Sequence, residues 1–241
     1  MNEQNFFKRI IVALDVSTKE EALNLVQSLR ETEIFKIGLK LFSAEGPELL
    51  KTIHSLNKKI FLDLKLHDIP NTVSEAVKVA VRHGVYMMTI HSSGGKEMMA
   101  KAVEAGIREA EIQNVEKPLL LAVTVLTSLN DDQLKEIGIQ DDTRSQVLRL
   151  AGLSKEAGMD GIVCSPQEIE IIRNEFGKDF LVVTPGIRPS WAAAQDQKRI
   201  MTPSQAFKKG ADYIVIGRPI TASPSPEEAF QRIVQELVES Q

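Results

Sequence analysis

The stretch FLDLKLHDIPNTV, residues 61–73, sets Asp63, Lys65 and Asp68 close together in an otherwise apolar run. An ion carried into a protein interior without a partner costs several kcal/mol or more. Three such charges are therefore either an internal ion-pair network or a reactive site. Side chains alternate along a strand, which points Asp63 and Lys65 one way and Leu62 and Leu64 the other. Asp68 can converge on them if the chain turns after Leu66. The residues HDIPN supply that turn, because Pro70 disfavours helix at Ile69 and suits the start of the next one. Two carboxylates beside Lys65 favour its ammonium form, whereas a Schiff-base amine must be neutral. The pattern points to a proton donor or charge stabiliser.

An Asp-x-Lys pair alone is as readily a structural ion pair, so the elements that carry it must be considered. Apolar, β-rich runs recur at 10–16, 35–41, 59–65, 86–92, 119–126, 161–165, 180–186 and 213–219. Between them lie helical patterns. Residues 17–30 open with Ser17 or Thr18 as a cap and place Ala22, Leu23, Leu25, Val26 and Leu29 on one face. Residues 71–84, 142–158 and 202–210 end at Gly84, Gly158 and Gly210, and residues 225–240 form an amphipathic segment after Ser-Pro-Glu-Glu. Strands alternating with helices imply a parallel sheet, and eight such units in 241 residues match a (β/α)8 TIM barrel. The competitor, a doubly wound open sheet, should carry a glycine-rich turn after its first strand, but that strand ends in LDVSTKEE. No linker or low-complexity segment interrupts residues 1–241, which reads as a single domain. The connections 128–142 and 188–203 look like active-site loops.

Function in such barrels gathers at the C-terminal ends of the strands. Those ends carry Asp15, Lys36 with Lys40, Asp63 with Lys65, His91, Thr127, Ser165, Arg188 and Arg218. Asp15 and Lys36, on strands adjoining Asp63 and Lys65, weigh for a site over a structural pair. The loops after the seventh and eighth strands, TPGIRP and IGRPI, fall where barrels often hold phosphate. Gly217 lets the backbone approach an anion, Arg218 adds a bidentate donor, and Arg188 and Gln197 lie on the preceding loop.

Other classes fit less well. A net charge of −4 leaves no global basic footprint for nucleic acid. No apolar run reaches the roughly 20 residues that span a bilayer, and the N-terminal residues lack a signal-peptide core. One cysteine, Cys164, excludes an internal disulfide and suits a reducing, cytoplasmic setting; on the sixth strand it reads as a small core residue. Metal ligation fits poorly. His54, His67, His83 and His91 include no HxxxH pair; His54 and His83 fall late in helices, while His67 and His91 could adjoin the site.

With these residues in view, FLDLKLHDIPNTV resembles the Asp-x-Lys-x-x-Asp signature of the orotidine 5′-phosphate decarboxylase family. VALDV, FKIGLKLF, IHSSGGKEMM, AVTVLTS, GIVCSPQE, VTPGIRP, AQDQKRIMTP and IVIGRPI follow in the family's order, so the similarity spans the chain and resembles the bacterial branch. The signature alone is shared with a magnesium-using relative, 3-keto-L-gulonate 6-phosphate decarboxylase; LTS, PGIR, DQ and GR together favour the orotidine enzymes. A non-catalytic barrel that binds phosphorylated metabolites is the alternative from another class.

The resemblance implies decarboxylation of orotidine 5′-phosphate to UMP in pyrimidine biosynthesis, without metal or organic cofactor. It implies that Lys65 protonates C6 and that Asp63 lies beside the substrate carboxylate. Asp15 and Lys36 would hold the ribose hydroxyls, Lys36 also belonging to the charged array. Thr127 would lie at the pyrimidine, with Thr72 in the segment lining the nucleotide. Arg188, Gln197, Gly217 and Arg218 would grip the 5′-phosphate. Asp68 and Ile69 would reach across a homodimer interface into the partner's site.

Overall fold

The computed structural model describes residues 6–192 and 201–240. Eight parallel strands close into a barrel in chain order. They are β1 (Ile10–Ala13), β2 (Ile34–Gly38), β3 (Lys59–Leu66), β4 (Met87–His91), β5 (Leu119–Val123), β6 (Gly161–Val163), β7 (Leu181–Thr184) and β8 (Tyr213–Ile216). β1 pairs with both β2 and β8, which closes the sheet and excludes the open, doubly wound alternative.

Every expected run contains a strand, though most strands are shorter than the apolar runs. Asp15 lies just past the end of β1, on the loop above it. β2 gives way after Gly38 to the helix Leu39–Glu45, which buries Leu41 and carries the exposed Lys40 away from the strand end.

The five helical patterns are helices, with ends that follow from their termini. Lys19–Ser28 starts with a capping box in which Thr18 Oγ1 accepts from the Glu21 N–H and the Glu21 carboxylate accepts from the Thr18 N–H. Pro70–Arg82 begins with its proline in the first turn. Thr143–Glu156 is capped by Asp142, and Pro226–Glu239 closes the chain. Pro203–Lys209 stops at Gly210, whose φ of 107° lies in the left-handed region that glycine enters without penalty. Further helices at Glu48–Ser55, Gly95–Gln113 and Ile169–Phe176 complete the outer layer. A short helix, Asp131–Glu136, lies within the 128–142 connection.

Strand alternation divides the core in two. Ile10, Val12, Leu14, Phe35, Ile37, Ile60 and Leu62 face outward into a shell shared with the helices, where Cys164 is also buried. Ile11, Ala13, Ile34, Phe61, Met87, Leu121, Val183 and Val215 fill the barrel interior. The inward series continues toward the C-terminal rim as Asp15, Lys36, Asp63, Thr89 and Gly217. An apolar lower plug thus supports a charged upper layer.

One strand departs from regularity where that layer begins. Leu62 of β3 pairs with Met88 of β4, but the next pairing is Leu66 with Ile90. Thr89 alone therefore opposes Asp63, Leu64 and Lys65. Bulges of this kind re-aim side chains and are common beside active sites. Lys65 absorbs the irregularity with φ at 51°, a left-handed conformation that costs a side-chain-bearing residue about 1–2 kcal/mol.

Candidate active site

Four of the expected charges form one continuous chain across β2, β3 and the loop that follows β1. Lys36 Nζ lies 3.0 Å from Asp15 Oδ1 and 3.8 Å from Asp63 Oδ2. Lys65 Nζ donates to both oxygens of Asp63 at 2.8 Å. Cation and carboxylate alternate, so each interior charge has an opposite neighbour, and the four sum to zero. Side-chain exposure is 12% for Lys36 and 13% for Asp63 but 30% for Lys65 and 59% for Asp15. The middle of the chain is desolvated while both ends remain open to a ligand.

Thr89, fully buried, completes the coordination of Asp63 and was not singled out by the sequence reading. Its hydroxyl donates to Asp63 Oδ1 at 2.9 Å and accepts from the Lys65 backbone N–H at 2.9 Å. The available signal was its place on β4, two residues before His91 and on the same face. Gly38 was also passed over. A Cβ there would come within 3.2 Å of Lys36 Nζ, so glycine leaves the space the ammonium occupies.

The Asp15 and Lys36 end of the array opens into a cleft of about 120 Å³. Its other wall is the pair of loops expected to bind phosphate, contributing Gly186, Arg188, Gly217 and Arg218. Arg188 is buried, and its loop is tied down by its backbone N–H donating to Met201 O at 3.0 Å. Arg218 is exposed at the start of a short helix, Arg218–Thr221. A Cβ at Gly217 would stand 3.5 Å from Ala13 Cβ and 3.6 Å from Asp15 Oδ2, narrowing the cleft. Gln197 lies outside the described residues.

The remaining expected residues lie at the rim. Asp68, Ile69 and Thr72 are exposed at the start of the helix Pro70–Arg82. Asp68 Oδ1 accepts from the Ile69 N–H at 2.6 Å, and among the described residues Asp68 forms no ion pair with Lys65 or Lys36. Convergence of Asp68 on Lys65 within one chain is thus not seen. Thr127 is exposed on the loop beyond β5. His91 and the exposed His67 place their rings 5.5 Å apart. Burial pushes the His91 pKa down, helped by the charges of His67 and Lys65 and opposed by Asp63. Among the described residues, no three His, Cys, Asp or Glu side chains are grouped to hold a metal ion.

A model of the orotidine 5′-phosphate decarboxylase / HUMPS family matches residues 8–233. The chain belongs to this family. An orotidine 5′-phosphate decarboxylase of Nostoc sp. is 49% identical over 230 residues, covering 95% of this chain and 97% of that protein. One from Geotalea daltonii is 50% identical over 231 residues, with 95% and 96% covered. The crystal structure of orotidine 5′-phosphate decarboxylase from Lactobacillus acidophilus superposes with a TM-score of 0.85 at 38% identity, covering 95% and 99%. In this chain the charged array stands at the C-terminal rim of the barrel, the face on which (β/α)8 barrels carry their sites.

Proposed function

We propose that this barrel converts orotidine 5′-phosphate to UMP by electrostatic catalysis, with Lys65 as the proton donor to C6. The observation that carries this is the unbroken chain Asp15–Lys36–Asp63–Lys65 running from the arginine-walled cleft to the half-buried ammonium of Lys65. The Arg188, Gly217 and Arg218 cleft receives the 5′-phosphate, together with Gln197 from the adjoining segment. Asp15 and Lys36 take the ribose hydroxyls, and Thr72 and Thr127 border the base.

When the C6–carboxylate bond breaks, its electron pair stays on C6 as an sp2 carbanion that no ring carbonyl can delocalise directly. Carbon dioxide leaves, and C6 takes a proton from the Lys65 ammonium, giving UMP and an amine that solvent reprotonates. A cation aimed at C6 interacts more strongly with the carbanion than with the substrate, which is the condition for acceleration. Asp63 fixes the direction of the ammonium through both its oxygens. It also faces the departing carboxylate. Two such charges 4 Å apart repel by about 4 kcal/mol at an effective dielectric of 20, and the repulsion vanishes as neutral carbon dioxide forms. Binding energy from the phosphate, remote from C6, offsets this cost in the bound state.

The whole chain acts as one domain, and two copies form a homodimer with shared sites. Asp68 and Ile69 supply the partner's site, consistent with their exposure, which is 66% for Ile69, and with the local contact of Asp68. The enzyme works in the cytoplasm, in keeping with its single, free and buried thiol. Among the described residues, no helix is long and apolar enough to cross a membrane.

The function is tested by following ultraviolet absorbance after mixing the protein with orotidine 5′-phosphate and EDTA. A steady spectral change to that of UMP is expected; no change, or a change only with magnesium, refutes it. Mixing inactive Lys65→Ala with inactive Asp68→Asn tests the shared site, because a heterodimer would rebuild one intact site. Failure to recover activity after subunit exchange refutes that arrangement.

A further inference from the structure

Asp63 and Lys65 are held by a bulge, and a bulge leaves backbone groups without ladder partners. The Lys65 N–H is one of them, and in its place it uses the hydroxyl of Thr89. A backbone N–H only donates, so Thr89 Oγ1 must accept from Lys65, and its own proton is then free for one acceptor. That acceptor is Asp63 Oδ1. The donor and acceptor order is therefore fixed without ambiguity. One fully buried hydroxyl holds the backbone of the left-handed lysine and the carboxylate that grips the same lysine's ammonium. The three groups close a ring: Thr89 Oγ1 donates to Asp63, Lys65 Nζ donates to the same carboxylate, and the Lys65 N–H donates to Thr89 Oγ1.

We infer that Thr89 is a positioning residue for decarboxylation, its hydroxyl setting the Lys65 backbone and the Asp63 carboxylate in one geometry so that the ammonium points at C6. The role rests on the proposed function of Lys65, but the bridge itself is a property of the free protein. Threonine suits the position because its branched side chain fills a buried strand site and its hydroxyl both donates and accepts. Valine keeps the shape and loses both bonds. It leaves the Lys65 N–H and one Asp63 lone pair unsatisfied, so the pair relaxes away from the ring geometry.

Thr89→Val, Thr89→Ala and Thr89→Ser test this in the full-length protein. Amide hydrogen exchange at Lys65, read by NMR without substrate, should speed up at least about tenfold in the valine and alanine variants and return toward the parent in the serine variant. kcat for orotidine 5′-phosphate should fall about 10–100-fold in valine and alanine, since misplacement of a reacting group by about 1 Å costs on that order. Serine should recover to within about fivefold of the parent. UMP affinity should change less than about threefold in all of them, because the phosphate cleft is untouched. If valine fails to fold, alanine against serine makes the same comparison. Unchanged exchange at Lys65 overturns the bridge. Faster exchange with kcat within twofold of the parent overturns the positioning role, as does loss of UMP binding in step with kcat. A parent protein inactive toward orotidine 5′-phosphate would refute the decarboxylase function and leave the exchange measurement to decide the bridge.

Discussion

Lys65→Ala separates the chemistry from the binding, and its size can be worked from the site. An ammonium about 4 Å from a developing carbanion contributes about 4 kcal/mol at an effective dielectric of 20. At 1.36 kcal/mol per decade that is about a thousandfold in rate. Loss of a positioned proton donor removes a further factor of about 10²–10⁴. Turnover should therefore fall by at least about 10⁵-fold. The fold should survive, because Asp63 keeps the Thr89 hydroxyl at 2.9 Å and Lys36 at 3.8 Å. UMP binding should stay within about tenfold, since Asp15, Arg188 and Arg218 stand at the other end of the array. Stopped assays by ultraviolet absorbance and UMP titration by calorimetry measure the two quantities. A variant within tenfold of the parent in kcat, or one that loses turnover and UMP binding together, refutes the assigned role. Lys65→Gly adds a control on the backbone. Glycine escapes the left-handed penalty of about 1–2 kcal/mol but costs about 0.5–1 through its freer unfolded chain. It should thus be more stable than Lys65→Ala by about 0.5–1 kcal/mol, or roughly 2 °C in Tm. Equal melting of the two would show that the site stores no backbone strain.

Arg218→Ala should raise KM for orotidine 5′-phosphate about 10–100-fold, the worth of a charged hydrogen bond, while leaving turnover of the phosphate-free nucleoside as in the parent; an equal loss on both substrates would exclude a phosphate role. Gly161→Ala places a Cβ 2.3 Å from Leu181 O and 2.5 Å from Leu181 Cβ on the neighbouring strand. Backbone cannot swing aside, so destabilisation of about 3 kcal/mol and a drop of about 6–12 °C in Tm are expected by calorimetry; an unchanged Tm would mean that β6 and β7 are loosely packed. His91, with its pKa held below 6.5 by burial, takes up protons more readily when unfolded. Its contribution is fully present above about pH 6.5 and is lost as pH falls toward its folded value. Urea titrations at pH 7.5 and 5.5 should show a smaller acid loss in His91→Asn than in the parent, and an identical loss would assign the pH dependence elsewhere.

The barrel was legible because its strands and helices have different periods, and because each strand end places its polar residue on the same rim. Asp15, Lys36 and Asp63 could be grouped from the sequence alone, since alternation decides which side of a strand a residue faces; Lys65 joins them through a bulge that alternation does not foresee. The cleft residues Arg188, Gly217 and Arg218 were legible only through their ordinal place in eight repeats. Lys40 was misplaced on the strand end, because a run of apolar residues at 35–41 does not reveal that Leu41 reaches the core by way of a helix. The helix Gly95–Gln113 escaped notice behind the methionines and glycines of IHSSGGKEMM, which mark no clear start.

Thr89 was invisible for a more general reason. Threonine in a strand is ordinary, and nothing in YMMTIHS says that the neighbouring strand carries two extra residues. The bulge and the ion pair coincide: the register of β3 shifts between Leu62 and Leu66, Lys65 lies within the shifted stretch with a left-handed φ, and its ammonium contacts both oxygens of Asp63. Sequence patterns report favourable local conformations, so a residue held against its preference is the kind of feature they miss. Here the misfit coincides with the residue assigned the proton transfer, and the hydroxyl that compensates for it lies on another strand. Local strain and tertiary compensation are thus two halves of one device: the left-handed backbone of Lys65, and the Thr89 hydroxyl on the neighbouring strand that accepts from its N–H.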